Sequence, residues 1–183
     1  ELGAPAEARY YGYENLRDEE VIPVKGKFLS AKEILKDERW YPEFSGGPVL
    51  LARLCPVDYH RYHFPDEGNY LDSYRIEGKY HSVNPLALKW KPEIFADNER
   101  HVSILKTKNF GNIAYVEVGA MMVGKIVETC KTNHFDRGQE KGYFLFGGST
   151  VIIFGQRGAW KPDQDILDNT KNGLETYIQL GEK

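Results

Sequence analysis

Ile113 to Cys130 is a long stretch rich in β-forming residues and broken at Gly119 and Gly124. Glycines set into such a run predict strands with a bend or bulge between them, which commits the middle of the chain to sheet. Pro48 to Cys55 is a short apolar run bounded by Gly46-Gly47 and Pro56, the pattern of a buried strand. Further strands are expected at Val21–Val24, Tyr70–Ile76, Val102–Thr107 and Thr150–Phe154. Helix is scarce. Ser30 and Glu33 stand at capping-box spacing and open a short helix, and Asp163 to Asn169, after Pro162, reads as another. No repeat, low-complexity stretch or linker interrupts the pattern. The expected fold is therefore mainly β (α+β): a single antiparallel β sandwich or barrel-like domain over residues 1–183, with one or two short helices.

Charge and cysteine content remove several classes of function. The formal net charge of −3 carries no basic excess, so a nucleic-acid partner is not expected. Cys55 and Cys130 lie in unrelated contexts, forming neither a CxxC pair nor a disulfide framework, which points to a reducing compartment. No apolar run approaches the roughly 18 residues of a membrane span. The start, Glu1-Leu2-Gly3-Ala4-Pro5, has neither Met nor a signal-peptide core and reads as the interior of a longer protein.

Four clusters have the residue types for chemistry. In Phe146-Gly147-Gly148-Ser149-Thr150, two glycines precede a hydroxyl pair at the mouth of a β-branched run. A serine oxygen beside the preceding carbonyl, freed by glycine from steric restriction, can attack its own backbone; a plain turn feeding a buried strand is the alternative. Asp58-Tyr59-His60-Arg61-Tyr62-His63-Phe64-Pro65 concentrates titratable groups in what reads as a loop. Proton transfer, structural use and a metal site all remain open there, although His-x-x-His lacks further ligands at a recognised spacing and no metal is expected. His81-Ser82-Val83-Asn84-Pro85 with Asn98-Glu99-Arg100 reads as turn chemistry, and Gly119 to Gly124 as a close backbone approach or a bulge.

Taken in order, these pieces resemble the phosphatidylserine decarboxylase family. The succession runs from Leu54-Cys55-Pro56 through Asp58 to His63, His81 to Pro85, Asn98-Glu99-Arg100, Val118-Gly119-Ala120 and Lys141-Gly142-Tyr143-Phe144 to Phe146-Gly147-Gly148-Ser149-Thr150. The ending, Asp165-Ile166-Leu167 through Asn169 to Gly173 and on to Glu175-Thr176, is similar to the clostridial-type branch.

The resemblance implies a self-made pyruvoyl cofactor. Ser149 would attack the Gly148 carbonyl, and self-cleavage at Gly148-Ser149 would divide the domain into 1–148 and 149–183, with Ser149 converted to the pyruvoyl group. That group would serve as the electron sink for decarboxylation of phosphatidylserine to phosphatidylethanolamine and CO2. It further implies His63 as base for self-cleavage, His60 in substrate handling, and a relay acid at Glu7. The expected partners are phosphatidylserine, a membrane surface touched peripherally from its cytoplasmic side, the two cleavage products with each other, and a second copy as a homodimer. The N-terminal membrane-associating region of the family is missing from this stretch. Tyr62 and Phe64 are either headgroup contacts or core.

The chain departs from the family pattern at Glu7, where the family has Asp, and at Ala8, where it commonly has Gly. An extra methylene displaces the carboxylate by about 1 Å, which can cost on the order of a hundredfold in rate. Slow or blocked processing is the consequence expected. Two alternatives accordingly stand beside the main reading: an unprocessed, non-catalytic lipid-binding relative, and a decarboxylase of a soluble amino acid.

Overall fold

The computed structural model describes residues 1–15, 30–83, 94–120, 125–145 and 149–182. The strand expected at Val21–Val24 lies outside these residues, as do Asn84, Pro85, Met121 to Gly124, Gly147 and Gly148. In chain order the elements are β1 (Ala8–Tyr13), α1 (Ala31–Leu35), α2 (Tyr41–Phe44), β2 (Val49–Leu54), β3 (Arg61–His63), β4 (Gly68–Ile76), α3 (Ile94–Asp97), β5 (Arg100–Thr107), β6 (Asn112–Val118), β7 (Lys125–Glu128), β8 (His134–Phe135), β9 (Glu140–Leu145), β10 (Ser149–Gly155), α4 (Gln164–Lys171) and β11 (Thr176–Ile178).

Eight strands form one antiparallel sheet in the order β11-β1-β2-β10-β6-β5-β4-β8, and three form a second in the order β3-β9-β7. The larger sheet is open, with β11 and β8 at its edges, so no barrel closes. Its centre follows from the sequence. The β-branched run of β10 is buried along its whole length and pairs with β2 on one side and β6 on the other. Residues buried on both faces of such a strand need no polar alternation, which is why Val151-Ile152-Ile153 is continuous.

The smaller sheet covers one face of the larger. Tyr62 of β3 packs against Tyr115 of β6, and the Tyr115 hydroxyl donates to the His63 carbonyl at 3.2 Å. On the opposite face α1 is tied down by Arg100, whose Nε donates to the Ile34 carbonyl at 2.7 Å. The capping box forms as its spacing predicts: the Glu33 amide donates to Ser30 Oγ at 3.2 Å, and the Ser30 amide to Glu33 Oε2 at 3.4 Å.

Four short helices appear among the described residues, where one or two were expected. The two unforeseen ones, α2 and α3, span four residues each, too short for an apolar period to show.

Candidate active site

Ser149 is the first residue of β10, fully buried, and paired with Leu54 at the end of β2. Side chains alternate across a strand, and Val151 lies opposite Glu117, which lies opposite His101. Ser149 therefore opens onto the same face as Glu117 and His101, the face that the small sheet covers.

The chain leaving β2 turns immediately towards that face. The Asp58 amide donates to the Cys55 carbonyl at 2.9 Å, and the Cys55 amide to Asp58 Oδ2 at 2.6 Å, so one aspartate closes its own turn. Arg9 grips the same carboxylate at 2.7 and 2.9 Å from β1. The turn delivers His60, whose carbonyl accepts from the Phe144 amide at 3.0 Å. His60 Nδ1 then lies 3.5 Å from Ser149 Oγ, while its Nε2 is buried without a partner. A contact of this length is loose for a hydrogen bond, as resting catalytic pairs often are.

His63 is held differently. The segment read as a loop is strand from Arg61 onward, because β9 offers it a paired edge. The His63 amide donates to the Pro5 carbonyl at 2.8 Å, and its ring stacks over Tyr59 at 6.3 Å. Its Nδ1 is buried and unpartnered. Burial pushes the imidazole pKa below its ordinary value, with Arg61 adding to the effect and Glu140 opposing it, which favours the neutral, proton-accepting form. Of the two histidines, His60 is the one that the fold brings to Ser149.

Glu7 stands just before β1. Its Oε1 accepts from the Tyr177 hydroxyl at 2.9 Å. Tyr177 pairs with Arg9 across β1 and β11, and Arg9 with Arg53 across β1 and β2, so these side chains occupy the face opposite Ser149. The Glu7 carboxylate is thus engaged on the face opposite Ser149. Ala8 carries no strain: Lys36 is the non-glycine residue with positive φ among the described residues.

Tyr62 and Phe64 belong to the core, 0% and 1% exposed. The apolar side chains that do reach solvent beside His60 are those of the turn, Val57 at 87% and Tyr59 at 45% exposure. In the His81–Asn98 cluster Asn98 acts as a fastener. It accepts from the His81 amide and donates to the His81 carbonyl, each at 2.8 Å, and donates to the Gly119 carbonyl at 2.7 Å. Among the described residues no group of three or more His, Cys, Asp or Glu side chains gathers as a metal site.

One cluster has no counterpart in the sequence reading. Lys141 is fully buried, its Nζ 2.7 Å from Glu117 Oε1 and 3.1 Å from Glu128 Oε1. His101 Nδ1 approaches Glu117 at 3.3 Å and Glu128 at 3.2 Å, and its Nε2 lies 2.9 Å from Ser73 Oγ. Burial works against the Glu117 charge, but Lys141 and His101 outweigh it and hold the carboxyl below its ordinary pKa. The available signal was a pair of opposite charges, Glu117 in Tyr115-Val116-Glu117-Val118 and Lys141 in Lys141-Gly142-Tyr143-Phe144, each inside a strand-like run.

Comparison with known proteins adds a family to this geometry. The family described as phosphatidylserine decarboxylase matches residues 1–183. A phosphatidylserine decarboxylase proenzyme of Ruminiclostridium cellulolyticum is 44% identical over 182 residues, 99% of this chain and 61% of that protein. The proenzyme of Clostridium tetani is 45% identical over 183 residues, 100% of this chain and 62% of its own length. The chain thus spans about three fifths of the length of these curated relatives. No helix among the described residues is long and apolar enough to cross a membrane.

Proposed function

The chain belongs to the phosphatidylserine decarboxylase family, and from that premise we propose that it cleaves itself at Gly148-Ser149 and then decarboxylates phosphatidylserine to phosphatidylethanolamine. The observation that carries this reading is the part-buried approach of His60 Nδ1 to Ser149 Oγ at 3.5 Å. With that nitrogen unprotonated, the hydroxyl donates to it, and His60 takes the proton as Oγ attacks the Gly148 carbonyl carbon. The Gly148–Ser149 C–N bond breaks and the released nitrogen takes up the proton, leaving an ester on Ser149. Elimination of the Gly148 carboxylate and hydrolysis of the resulting enamine release ammonia and leave a pyruvoyl end. In this proposal the base role that the resemblance implies for His63 is given to His60, supported by its contact with Ser149. His63, whose neutral form burial favours, remains as a second proton carrier three residues along the chain.

A keto group formed at position 149 would stand beside the His60 imidazole, whose Nδ1 lies 3.5 Å from Ser149 Oγ. Such a group supplies the electron sink for loss of CO2. Val57 and Tyr59, exposed on the turn that carries His60, would meet the bilayer interface in which a phospholipid substrate is presented. Contact with the cytoplasmic face of the membrane is then peripheral.

Intact-mass analysis of the denatured protein tests cleavage and cofactor together. The expected products are 1–148 and a 149–183 piece with a blocked, pyruvoyl N-terminus, absent in Ser149→Ala. His60→Ala should stop the cleavage, and His63→Ala should slow it less. Cleavage that survives His60→Ala but not His63→Ala returns the base role to His63. A second reading, an unprocessed relative, is favoured by the Glu7–Tyr177 bond, which engages the relay carboxylate. It requires a single mass for the whole chain and no CO2 release from phosphatidylserine vesicles.

A further inference from the structure

We propose that Lys141, clamped by Glu117, is a positioning residue that sets the register of β9 against the histidine strand and so aims His60 and His63. The inference rests on the reading that these histidines serve Ser149, but it concerns a different part of the molecule.

The register itself points to Lys141. Tyr62 pairs with Gly142 and His63 with Glu140, so one step along β3 corresponds to two along β9 and Lys141 is the residue left over. This is a β-bulge set directly beside His63. Its consequence is visible in the burial pattern, where Lys141 and Gly142 are both buried instead of alternating. The Lys141 carbonyl, on the β7 side of β9, accepts from the Thr129 and Cys130 amides at 3.0 and 3.3 Å. Glu140, on the other side of the bulge, keeps its carboxylate half-exposed and takes Arg61 at 2.6 Å.

The lysine side chain then grips the histidine strand from beneath. Its ammonium lies 5.9, 5.7 and 5.3 Å from the ring centres of Tyr62, Tyr70 and Tyr115. Tyr62 immediately precedes His63, and Tyr115 donates to the His63 carbonyl. Glu117 on β6 holds the ammonium at 2.7 Å, linking the small sheet to the strand that neighbours Ser149's own.

Stability alone is a poor reason for such a pair, because well-packed apolar side chains of similar volume often do as well or better. Register is a better one. A one-residue slip of β9 would turn Lys141 outward and bring Glu140 in against Glu117, so a single alignment satisfies the charges. The same slip would carry Phe144, and with it the His60 carbonyl it holds, out of place.

The test uses the full chain. Lys141→Met alone leaves Glu117 buried without its cation and is expected to lower stability, so the deciding variant is Glu117→Gln/Lys141→Met, which removes both charges and keeps the volume. In an uncleavable Ser149→Ala background, imidazole nitrogen NMR should show a shift of the His60 and His63 signals, while exposed His134 stays put and the melting temperature remains within a few degrees of the parent. With Ser149 restored, self-cleavage should slow by at least tenfold. Unmoved His60 and His63 signals in a folded double variant overturn the proposal, as does cleavage at the parental rate. If the parent does not cleave at all, the reading of Ser149 fails, yet the NMR comparison still decides the role of Lys141.

Discussion

Glu7 is one of two positions, with Ala8, at which the resemblance expects another residue, and the structure gives its side chain a definite partner. The longer side chain reaches Tyr177, on the face of the sheet that carries Arg9 and Arg53, and it is secured there by a 2.9 Å bond. A carboxylate so engaged is committed to Tyr177. Because a misplacement of about 1 Å can cost on the order of a hundredfold, relay geometry and not the chemistry of Ser149 would limit processing. Glu7→Asp, too short to keep Tyr177, should therefore speed the appearance of the two fragments by at least tenfold on a denaturing gel. Tyr177→Phe, which removes the donor and leaves Glu7 in place, should act in the same direction. Equal rates in all three proteins would dismiss the carboxylate from the reaction.

At the level of elements, legibility tracked pattern length. The β-branched run of β10 and the apolar run of β2 were readable because each is long enough, and buried enough, to leave a continuous stretch. β3 was not, because its three residues are Arg61, Tyr62 and His63, and two of them are polar. What makes them a strand is the partner β9, which no local pattern announces. The nearness of His60 to Ser149 could not be read from residue type, because it depends on the Cys55–Asp58 turn that carries the histidine. Gly142 shows how tightly the β3–β9 pair is built. A Cβ there would stand 2.5 Å from the Tyr62 hydroxyl oxygen and 2.3 Å from the Val127 carbonyl oxygen, on a strand flanked by both neighbours. Gly142→Ala should thus lower stability by about 1–3 kcal/mol in urea denaturation, through forced displacement of the Tyr62 ring. A wild-type midpoint would mean that β3 can ride outward freely, and the histidines with it.

Across the whole molecule the proposed cut falls at a place where breaking the chain need not break the fold. The 149–183 piece would begin with β10, inserted between β2 and β6 and buried throughout. Its remaining length crosses back to β1 and β2 in three ways. Thr170 Oγ1 accepts from the Gly12 amide at 2.9 Å, β11 pairs with β1 from Ala8 to Tyr10, and Glu175 takes Arg53 through two 2.6 Å bonds. That ion pair is mostly buried, its side chains 9% and 18% exposed, so removing one partner strands a charge. The two pieces should consequently co-elute under native conditions and separate only in denaturant. Glu175→Gln should cost on the order of 2 kcal/mol, less than a fully buried pair because the carboxylate keeps some water. For a domain of this size that is roughly 4–8 °C in melting temperature. The loss should appear in the uncleavable Ser149→Ala chain as well. In the cleaved protein it should also let an isotope-labelled 149–183 peptide exchange in, which the tethered chain forbids. Exchange into the parent at the same rate as into the variant would mean that the Arg53–Glu175 pair does not hold the pieces together, leaving that task to β10.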